Sequence, residues 1–291
     1  KCQHWVGWMA LATLLVPISL AYAQSRTPNA PVHEVRKTAH NTSFRTTRSK
    51  RARTRSKKHT KHAKLNSNYR RLRNKWHYKA PLAERRAFQR EAMPPLILAP
   101  VGENARVVLQ PSSEFGDFSN EEMIKAETAM AWQKDHSTHP VHPRLLNLVY
   151  QALRHFGVPF AWVISGFRAN SDTSRHQQGR AIDMVLPGVS DRQLAHYLRT
   201  QGFVGVGLYP VSGFVHLDVR DKSFFWIDRS GPDQPSRVTP ILKKQASIMD
   251  RQARKRGVIP PDLGDSTLPS AADDTTPGNT PLPELTVKPI N

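Results

Sequence analysis

Two histidines and one aspartate match the ligands of a metal site in residue type and in spacing. His176, Asp183 and His216 all lie between residues 174 and 220. Two imidazoles and a carboxylate can ligate a catalytic Zn²⁺, which takes about three protein ligands and keeps one position open for water. Such a centre activates water for hydrolysis, so the pattern predicts zinc-dependent hydrolytic chemistry.

Two predicted strands would bring the aspartate and the second histidine together. Alternation along residues 180–186 places Asp183 on one face with small apolar side chains. Alternation along residues 213–220 places His216 and Asp218 on one face. A buried, unpaired carboxylate is costly, so Asp183 needs a cation or strong donors. If the two strands pair, His216 lies beside Asp183.

The first histidine of the set would come from the loop that leads into the first of these strands. His176 lies seven residues before Asp183, and Gly179 allows the loop to turn tightly next to the site. Each residue alone has an ordinary structural explanation, because a lone histidine is often a surface or capping residue and a lone aspartate an ion-pair partner. The joint pattern favours the metal site. Other histidines are expected to be solvated, among them His77, His136, His139 and His142.

The order of these residues resembles that of a known enzyme family. The motif His-x-x-Gly-x-Ala-x-Asp at 176–183, followed by His216, resembles the zinc peptidases that include D-alanyl-D-alanine dipeptidases and carboxypeptidases. Their fold is shared with lysostaphin and the hedgehog signalling domain. Within this group, Val-Gly-x-Tyr-Pro at 206–210 and Phe-Val-His-x-Asp at 214–218 are most similar to the YcbK-type (MepK-like) periplasmic murein endopeptidases. The resemblance covers residues 105–230.

The resemblance implies a fold and a metal. The implied fold is α+β with a central antiparallel sheet and helices on one side, as in the hedgehog and D-Ala-D-Ala peptidase domains. The implied metal is Zn²⁺, with His176, Asp183 and His216 as its ligands.

Two further site roles also come from the resemblance. Ser-Gly-Phe-Arg at 165–168 is similar to the family segment Ser-Gly-Tyr-Arg, whose arginine contacts the carboxylate or carbonyl of the substrate. Arg168 is therefore expected to do the same, with an ordinary surface ion pair as the alternative. Many relatives carry a catalytic acid three residues before the last histidine, but this chain has Gly213 there. Asp218 is therefore the expected general base. Its alternative role is to orient a zinc ligand from behind.

Most of the positive charge lies in one segment. Residues 24–93 hold 21 Lys or Arg and three acidic residues, nearly the whole net charge of +20. Their low apolar content predicts a disordered basic linker, with one short helix at 83–91. Such a linker is expected to bind anionic surfaces nonspecifically. Sequence-specific nucleic-acid binding is not expected, because no folded recognition motif accompanies the charge.

Residues 1–23 resemble an export signal. A short basic start, an apolar run over 5–20 and Ala-Tyr-Ala at 21–23 predict a signal peptide cleaved before Gln24, with an uncleaved membrane anchor as the alternative. The folded part is therefore expected to be exported, to the periplasm or cell envelope. Cys2 is the single cysteine, which excludes an internal disulfide and a cysteine-only metal site.

The rest of the chain divides into a domain and a tail. Residues 94–232 are expected to form the zinc metallopeptidase domain, and residues 233–291 a Pro/Thr-rich tail that contains a basic amphipathic helix at 241–256. Within the domain, periodicity and capping residues predict helices at 119–134, 143–157 and 191–200 and one buried strand at 160–164.

Together these features predict a zinc-dependent peptidase of the cell envelope. Its expected substrates are amide bonds in the stem peptides or cross-links of peptidoglycan, cut by a murein endopeptidase or by a DD- or LD-carboxypeptidase. The missing acid at Gly213 favours a second hypothesis, a non-catalytic zinc-containing domain that binds the cell wall. A basic nucleic-acid-binding protein is a third hypothesis, and the export signal argues against it.

Overall fold

The structure is a computed structural model, and it describes residues 65–103, 105–169, 174–232 and 234–263. The expected signal peptide, the first part of the expected linker and the end of the expected tail lie outside these described residues. Within them, no helix has the length and apolar composition needed to cross a bilayer.

The described residues contain six helices and eight strands, and the strands form one sheet. The helices are α1 (Ser67–Trp76), α2 (Leu82–Arg90), α3 (Asn120–Ala129), α4 (Pro143–Phe156), α5 (Asp191–Arg199) and α6 (Lys243–Lys255). The strands are β1 (Leu96–Pro100), β2 (Val107–Leu109), β3 (Ala161–Ser165), β4 (Ala181–Val185), β5 (Val204–Tyr209), β6 (Phe214–Val219), β7 (Phe224–Asp228) and β8 (Val238–Ile241).

The eight strands form a mixed sheet in the order β2-β1-β3-β4-β6-β5-β7-β8. Its four central strands, β3, β4, β6 and β5, pair antiparallel. On either side of them, β1 pairs with β3 and β7 pairs with β5 in parallel. The expected α+β class with an antiparallel centre is confirmed, and parallel pairs flank that centre.

α4 covers one face of the sheet, and its ends follow from its sequence. Pro143 occupies the first turn, and the side chain of His142 accepts from the backbone N–H of Arg144 as a cap. Gly157 ends the helix in the left-handed conformation, with a φ of 61°. Apolar side chains such as Leu146 are buried in the core that α4 shares with β6, each stabilising the fold by about 1.5–3 kcal/mol. This face of the sheet is the hydrophobic core.

α5 packs in the same core. It begins with a capping box, in which Ser190 and Gln193 satisfy each other's backbone N–H groups. Leu194 and Leu198 lie four residues apart on one face and are buried. The helix expected at 191–200 is confirmed.

The expected linker differs from the structure, because residues 67–90 contain α1 and α2. Tyr69, Leu72 and Trp76 recur at the helical spacing i, i+3 and i+7, and all three pack on the opposite face of the sheet from α4. Trp76 is 2% exposed. The basic composition obscured this apolar stripe, so the expectation of disorder is wrong for α1, whereas the short helix expected at 83–91 is confirmed as α2.

The folded domain also extends beyond its expected end at residue 232. β8 pairs antiparallel with β7, and α6 buries Ala246, Met249 and Ala253. Asp250 of α6 accepts hydrogen bonds from the backbone N–H groups of Phe203 and Ser223. The helix expected at 241–256 is thus confirmed, but it belongs to the domain rather than to a loose tail.

Candidate metal centre

A row of residues crosses the sheet on the face opposite to α4 and α5. Strand by strand from β3 to β7, the pairing registers align Ser165, Asp183, His216, Gly207 and Trp226. Residues paired in adjacent strands project from the same face, so their side chains meet above the sheet. The predicted pairing of the strands that carry Asp183 and His216 is confirmed.

The three residues of the predicted metal site meet in this row. His176 reaches it from the loop before β4, and one ligand atom of each residue lies within 4.8 Å of the others. Nε2 of His176 is 3.2 Å from Nδ1 of His216, which is 2.8 Å from Oδ1 of Asp183. That oxygen is 3.6 Å from Nε2 of His176. Bonds of about 2.0–2.1 Å to a tetrahedral Zn²⁺ separate its ligand atoms by about 3.3 Å, so donor types and spacing both fit zinc.

A backbone acceptor fixes the ring of His176. Its Nδ1–H donates to the carbonyl oxygen of Gly166 at 2.6 Å, so Nε2 carries the lone pair that faces His216. Gly179, with a φ of 61°, turns the loop so tightly that a β-carbon would lie 1.9 Å from the carbonyl oxygen of Pro140. Burial lowers the pKa of His176, so the ring is neutral at pH 7 and able to bind a metal.

His216 is held from the other side of the cluster. Its Nε2–H donates to Oδ2 of Asp218 at 3.0 Å, which leaves Nδ1 facing Asp183. Burial alone would lower the pKa of His216, but hydrogen bonds with the two carboxylates outweigh burial and raise the pKa to about 9. At neutral pH the metal-free ring is therefore protonated on Nδ1 as well as on Nε2. A metal ion that binds His216 would displace the proton on Nδ1.

Asp183 divides its two oxygens between the cluster and Arg168. Arg168 donates to Oδ2 of Asp183, and it also donates to the hydroxyl of Ser165 at 2.8 Å. Burial opposes the ionisation of Asp183, but His176 and Arg168 outweigh burial and hold the pKa of its carboxyl well below the usual value. Asp183 is therefore an anionic ligand that presents Oδ1. Arg168 lies at the edge of the cluster, and its contact with substrate stays a prediction.

Asp218 lies behind His216 instead of facing the metal position. Its side chain is fully buried, and Arg220 binds both of its oxygens, with Nε 2.7 Å from Oδ1 and Nη2 2.5 Å from Oδ2. Burial opposes its ionisation, but Arg220 outweighs burial and holds the pKa of Asp218 well below the usual value. A general base must reach the water at the metal. This geometry favours the alternative role, in which Asp218 orients His216, and the base role stays a prediction.

Two glycines of β5 make room for these buried side chains, and sequence reasoning missed both. Gly205 pairs with Asp218, and a β-carbon there would lie 2.0 Å from Oδ2 of Asp218 and 2.3 Å from Nη2 of Arg220. The alternation Val-Gly-Val-Gly at 204–207 was the available signal, since it places two glycines on one face of a strand.

The second glycine lets an indole ring approach the cluster. Gly207 pairs with His216, and a β-carbon there would lie 2.4 Å from the ring of Trp226. Because that space is open, the Trp226 ring lies 5.1 Å from the His216 ring. Trp226 therefore forms an apolar wall next to the metal position.

α1 covers the backbone at Gly213, where many relatives carry an acid. The φ of Gly213 is 79°, and a β-carbon there would lie 2.4 Å from Nε of Arg73. Arg73 also donates to the carbonyl oxygen of Val211 at 3.0 Å, and the Tyr69 hydroxyl donates to that of Ser212 at 2.7 Å. α1 thus holds the turn before β6 and fills the space that a side chain at position 213 would enter.

Three histidines that were expected to be solvated have partners in the protein. His77 contacts a carboxylate oxygen of Asp191 at 3.0 Å, and this hydrogen bond raises the pKa of His77. His142 caps α4, and His139 stacks on Phe167 with ring centroids 5.2 Å apart. None of the three belongs to the cluster of His176, Asp183 and His216.

Comparison with known proteins supports a metallopeptidase. Residues 116–218 match the family model described as Peptidase M15, and this stretch contains His176, Asp183 and His216. Peptidases of that family are zinc-dependent, which agrees with the donor set of the cluster. No curated protein and no solved structure matches the chain. The narrower resemblance to YcbK-type (MepK-like) murein endopeptidases stays a prediction.

Proposed function

We propose that this protein is a zinc-dependent peptidase that hydrolyses amide bonds in the stem peptides or cross-links of peptidoglycan. The observation that carries the proposal is the cluster of His176, Asp183 and His216, whose ligand atoms lie within 4.8 Å of one another. The match of residues 116–218 to Peptidase M15 supports the same reaction class.

The residues of the chain would hold the metal and orient the substrate. Bound Zn²⁺ supplies a Lewis acid and lowers the pKa of a bound water to about 7. His176, Asp183 and His216 would hold the ion through Nε2, Oδ1 and Nδ1. Gly166, Arg168 and Asp218 bind the other polar atom of each side chain. Arg168, whose side chain is 18% exposed, would direct the substrate carbonyl or carboxylate towards the cluster.

The substrate class and the location are proposed from the sequence. The segments at 206–210 and 214–218 are similar to those of murein endopeptidases, and the apolar run at 5–20 is typical of exported proteins. Residues 24–64, which carry many Lys and Arg, would keep the enzyme near anionic material of the cell envelope. The products of digestion would show whether the enzyme cuts a cross-link or a terminal peptide bond.

A second candidate function is a non-catalytic zinc-containing domain that binds the cell wall. Two observations favour it, and both concern the general base that a peptidase needs. Gly213 has no side chain to act as a base, and Arg73 fills the space beside it. Asp218 is fully buried behind His216. Neither of these two positions therefore supplies a base that reaches the metal position.

One experiment separates the two functions. The full-length protein is purified without chelators, its metal content is measured, and isolated sacculi are digested with identification of the products by mass spectrometry. The peptidase function predicts about one zinc per chain and new peptide ends, both abolished by His176→Ala. Bound zinc with intact muropeptides and retention on sacculi would support the binding domain. Protein that folds without bound zinc would contradict both.

A further inference from the structure

The side chain of Tyr209 projects from the face of the sheet that carries the cluster, and its hydroxyl contacts Trp226, whose ring lies beside His216. Tyr209 is the last residue of β5 and shares a face with Gly207, which pairs with His216. The ring of Tyr209 stacks on that of Phe214, with centroids 4.5 Å apart and planes at 21°. The ring is therefore fixed above the face of the sheet that carries the metal ligands.

Trp226 determines where this hydroxyl is placed. Nε1 of Trp226 lies over Gly207, 2.6 Å from the position of a β-carbon there, and donates to the Tyr209 hydroxyl oxygen at 3.3 Å. An indole N–H only donates, so the hydroxyl oxygen accepts this bond and its own proton points elsewhere. Within the described part of the chain, no residue accepts that proton. The O–H group is thus available to a ligand.

The surroundings of Tyr209 keep its hydroxyl protonated. Burial raises the pKa of Tyr209 above its ordinary value of about 10. A phenol that stays protonated at neutral pH does not act as a base, but it donates a hydrogen bond. Its side chain is half-buried. Arg168 contacts the cluster at the Asp183 end of the row, and Tyr209 is held by Trp226 at the other end.

We propose that Tyr209 is a catalytic residue whose hydroxyl donates a hydrogen bond to the oxygen of the scissile carbonyl as negative charge develops on it. This inference rests on the proposed peptidase function. In the hydrolysis, the water oxygen bonds to the carbonyl carbon, the C–N bond breaks, and a proton of the water ends on the leaving nitrogen. Tyr209 keeps its own proton throughout. A fixed donor of this kind binds the transition state more strongly than the substrate.

Tyr209→Phe tests the proposal, because it keeps the stacking on Phe214 and removes only the hydroxyl. In the full-length, zinc-loaded protein, we expect kcat on isolated muropeptides to fall about 100-fold, with zinc affinity unchanged within about twofold. Acetohydroxamate, an anionic oxygen ligand of zinc, should bind about 10-fold more weakly, since a hydrogen bond to a charged group is lost. Tyr197→Phe is the matched control: Tyr197 lies on α5, stacks on His155, and should change none of these values.

Each outcome decides the role of Tyr209. An unchanged kcat or an unchanged acetohydroxamate affinity in Tyr209→Phe overturns the proposal, and so does loss of zinc, which would make Tyr209 a structural residue. Wild-type protein that binds zinc and acetohydroxamate but cleaves no muropeptide contradicts the proposed function alone, because the acetohydroxamate comparison still tests the hydroxyl.

Trp226→Phe provides a second variant if Tyr209→Phe melts at a lower temperature than the wild type. This change removes the N–H that orients the Tyr209 hydroxyl and leaves the hydroxyl in place. We expect a weaker loss of acetohydroxamate affinity than in Tyr209→Phe, about threefold, since a neutral hydrogen bond is lost. Unchanged affinity in a folded, zinc-loaded Trp226→Phe protein would contradict the proposed orientation.

Discussion

Each histidine of the cluster uses one ring nitrogen for the metal position and the other for a fixed neighbour. His176 donates to the carbonyl of Gly166, and His216 donates to Asp218. These neighbours select the nitrogen that each ring presents and prevent the rings from rotating. At the residue scale, these neighbours hold the two rings in place, and the affinity of the site for zinc is expected to depend on them as well as on the ligands.

Asp218→Asn is expected to weaken zinc binding without removing catalysis at saturating zinc. Loss of the negative charge behind His216 makes its ring a poorer ligand, so zinc affinity should fall on the order of 10- to 100-fold. If Asp218 were the general base, kcat would fall strongly even with zinc bound. Chelator competition gives the affinity, and kcat is measured with excess zinc.

The same substitution has an expected cost in stability. Arg220 is 1% exposed, and Asp218→Asn removes the carboxylate that binds its guanidinium group. Breaking a buried pair in this way costs about 3–5 kcal/mol of unfolding free energy. Urea denaturation checks this value, and an unchanged unfolding free energy would show that the buried pair contributes no net stability.

Zinc affinity is expected to increase with pH by about tenfold per unit as the pH approaches 7, and by up to about 100-fold per unit between about pH 7 and 9, where a zinc-bound water also loses a proton. The hydrogen bonds with Asp183 and Asp218 raise the pKa of His216 to about 9 despite burial, so one proton must leave before zinc binds. His176 releases none, because burial lowers its pKa. The slope is measured by chelator competition across this range. Two protons released per zinc below about pH 7, where a zinc-bound water is still protonated, would contradict the assignment.

The pKa of His216 also determines how stability depends on pH in the metal-free protein. The raised pKa means that the folded state binds the proton more tightly than the unfolded chain, whose histidine has a pKa of about 6.5. This stabilisation is fully present below about pH 6.5 and is lost as the pH rises through about 9. Urea denaturation of the metal-free protein should show the decrease, and a zinc-saturated sample is the control.

At the element scale, α1 joins the turn before β6 to the start of α5. Through Tyr69 and Arg73 it holds the turn before β6, and at its other end His77 bonds Asp191 at the start of α5. Its buried Trp76 packs with residues of β4 and β6 that lie beside the cluster. α1 is therefore a structural wall of the site, although it lies outside the stretch that matches Peptidase M15.

Trp76→Ala is expected to reduce the unfolding free energy by about 3–5 kcal/mol, because it leaves a cavity between α1 and the sheet. Arg71→Ala, on the same helix but exposed, should change it by less than about 0.5 kcal/mol. Both values come from urea denaturation of the full-length protein. A loosely attached α1 would give equal, small effects for the two variants.

At the scale of the whole molecule, the parts that the sequence predicted are those that depend on local patterns. Strand alternation placed Asp183 and His216 on faces that meet, and the turn at Gly179 followed from its glycine. The docking of α1 could not be predicted in this way. Arg73 and Val211 are 138 residues apart, and nothing in either segment alone indicates their contact.

The role of Asp218 could be predicted only in part for a different reason. Its position two residues after His216 fixed the face of the strand, but not which ring nitrogen of His216 it would contact. That choice depends on the side-chain conformations and on Arg220, which fixes both carboxylate oxygens. Gly205 permits this arrangement by leaving space on β5. Spacing alone therefore identified the residue but could not distinguish a general base from a residue that orients His216.

A fragment of residues 94–232, the domain expected from composition, should unfold at a much lower urea concentration than the full-length protein. It lacks α1, α2, β8 and α6, and with them the buried side chains of Trp76, Phe88 and Met249. Burial of each contributes about 1.5–3 kcal/mol, a sum that approaches the total stability of about 5–15 kcal/mol of an ordinary domain. A fragment of residues 65–263 is the control and should match the full-length midpoint. Equal midpoints for both fragments would mean that the four added elements contribute no net stability.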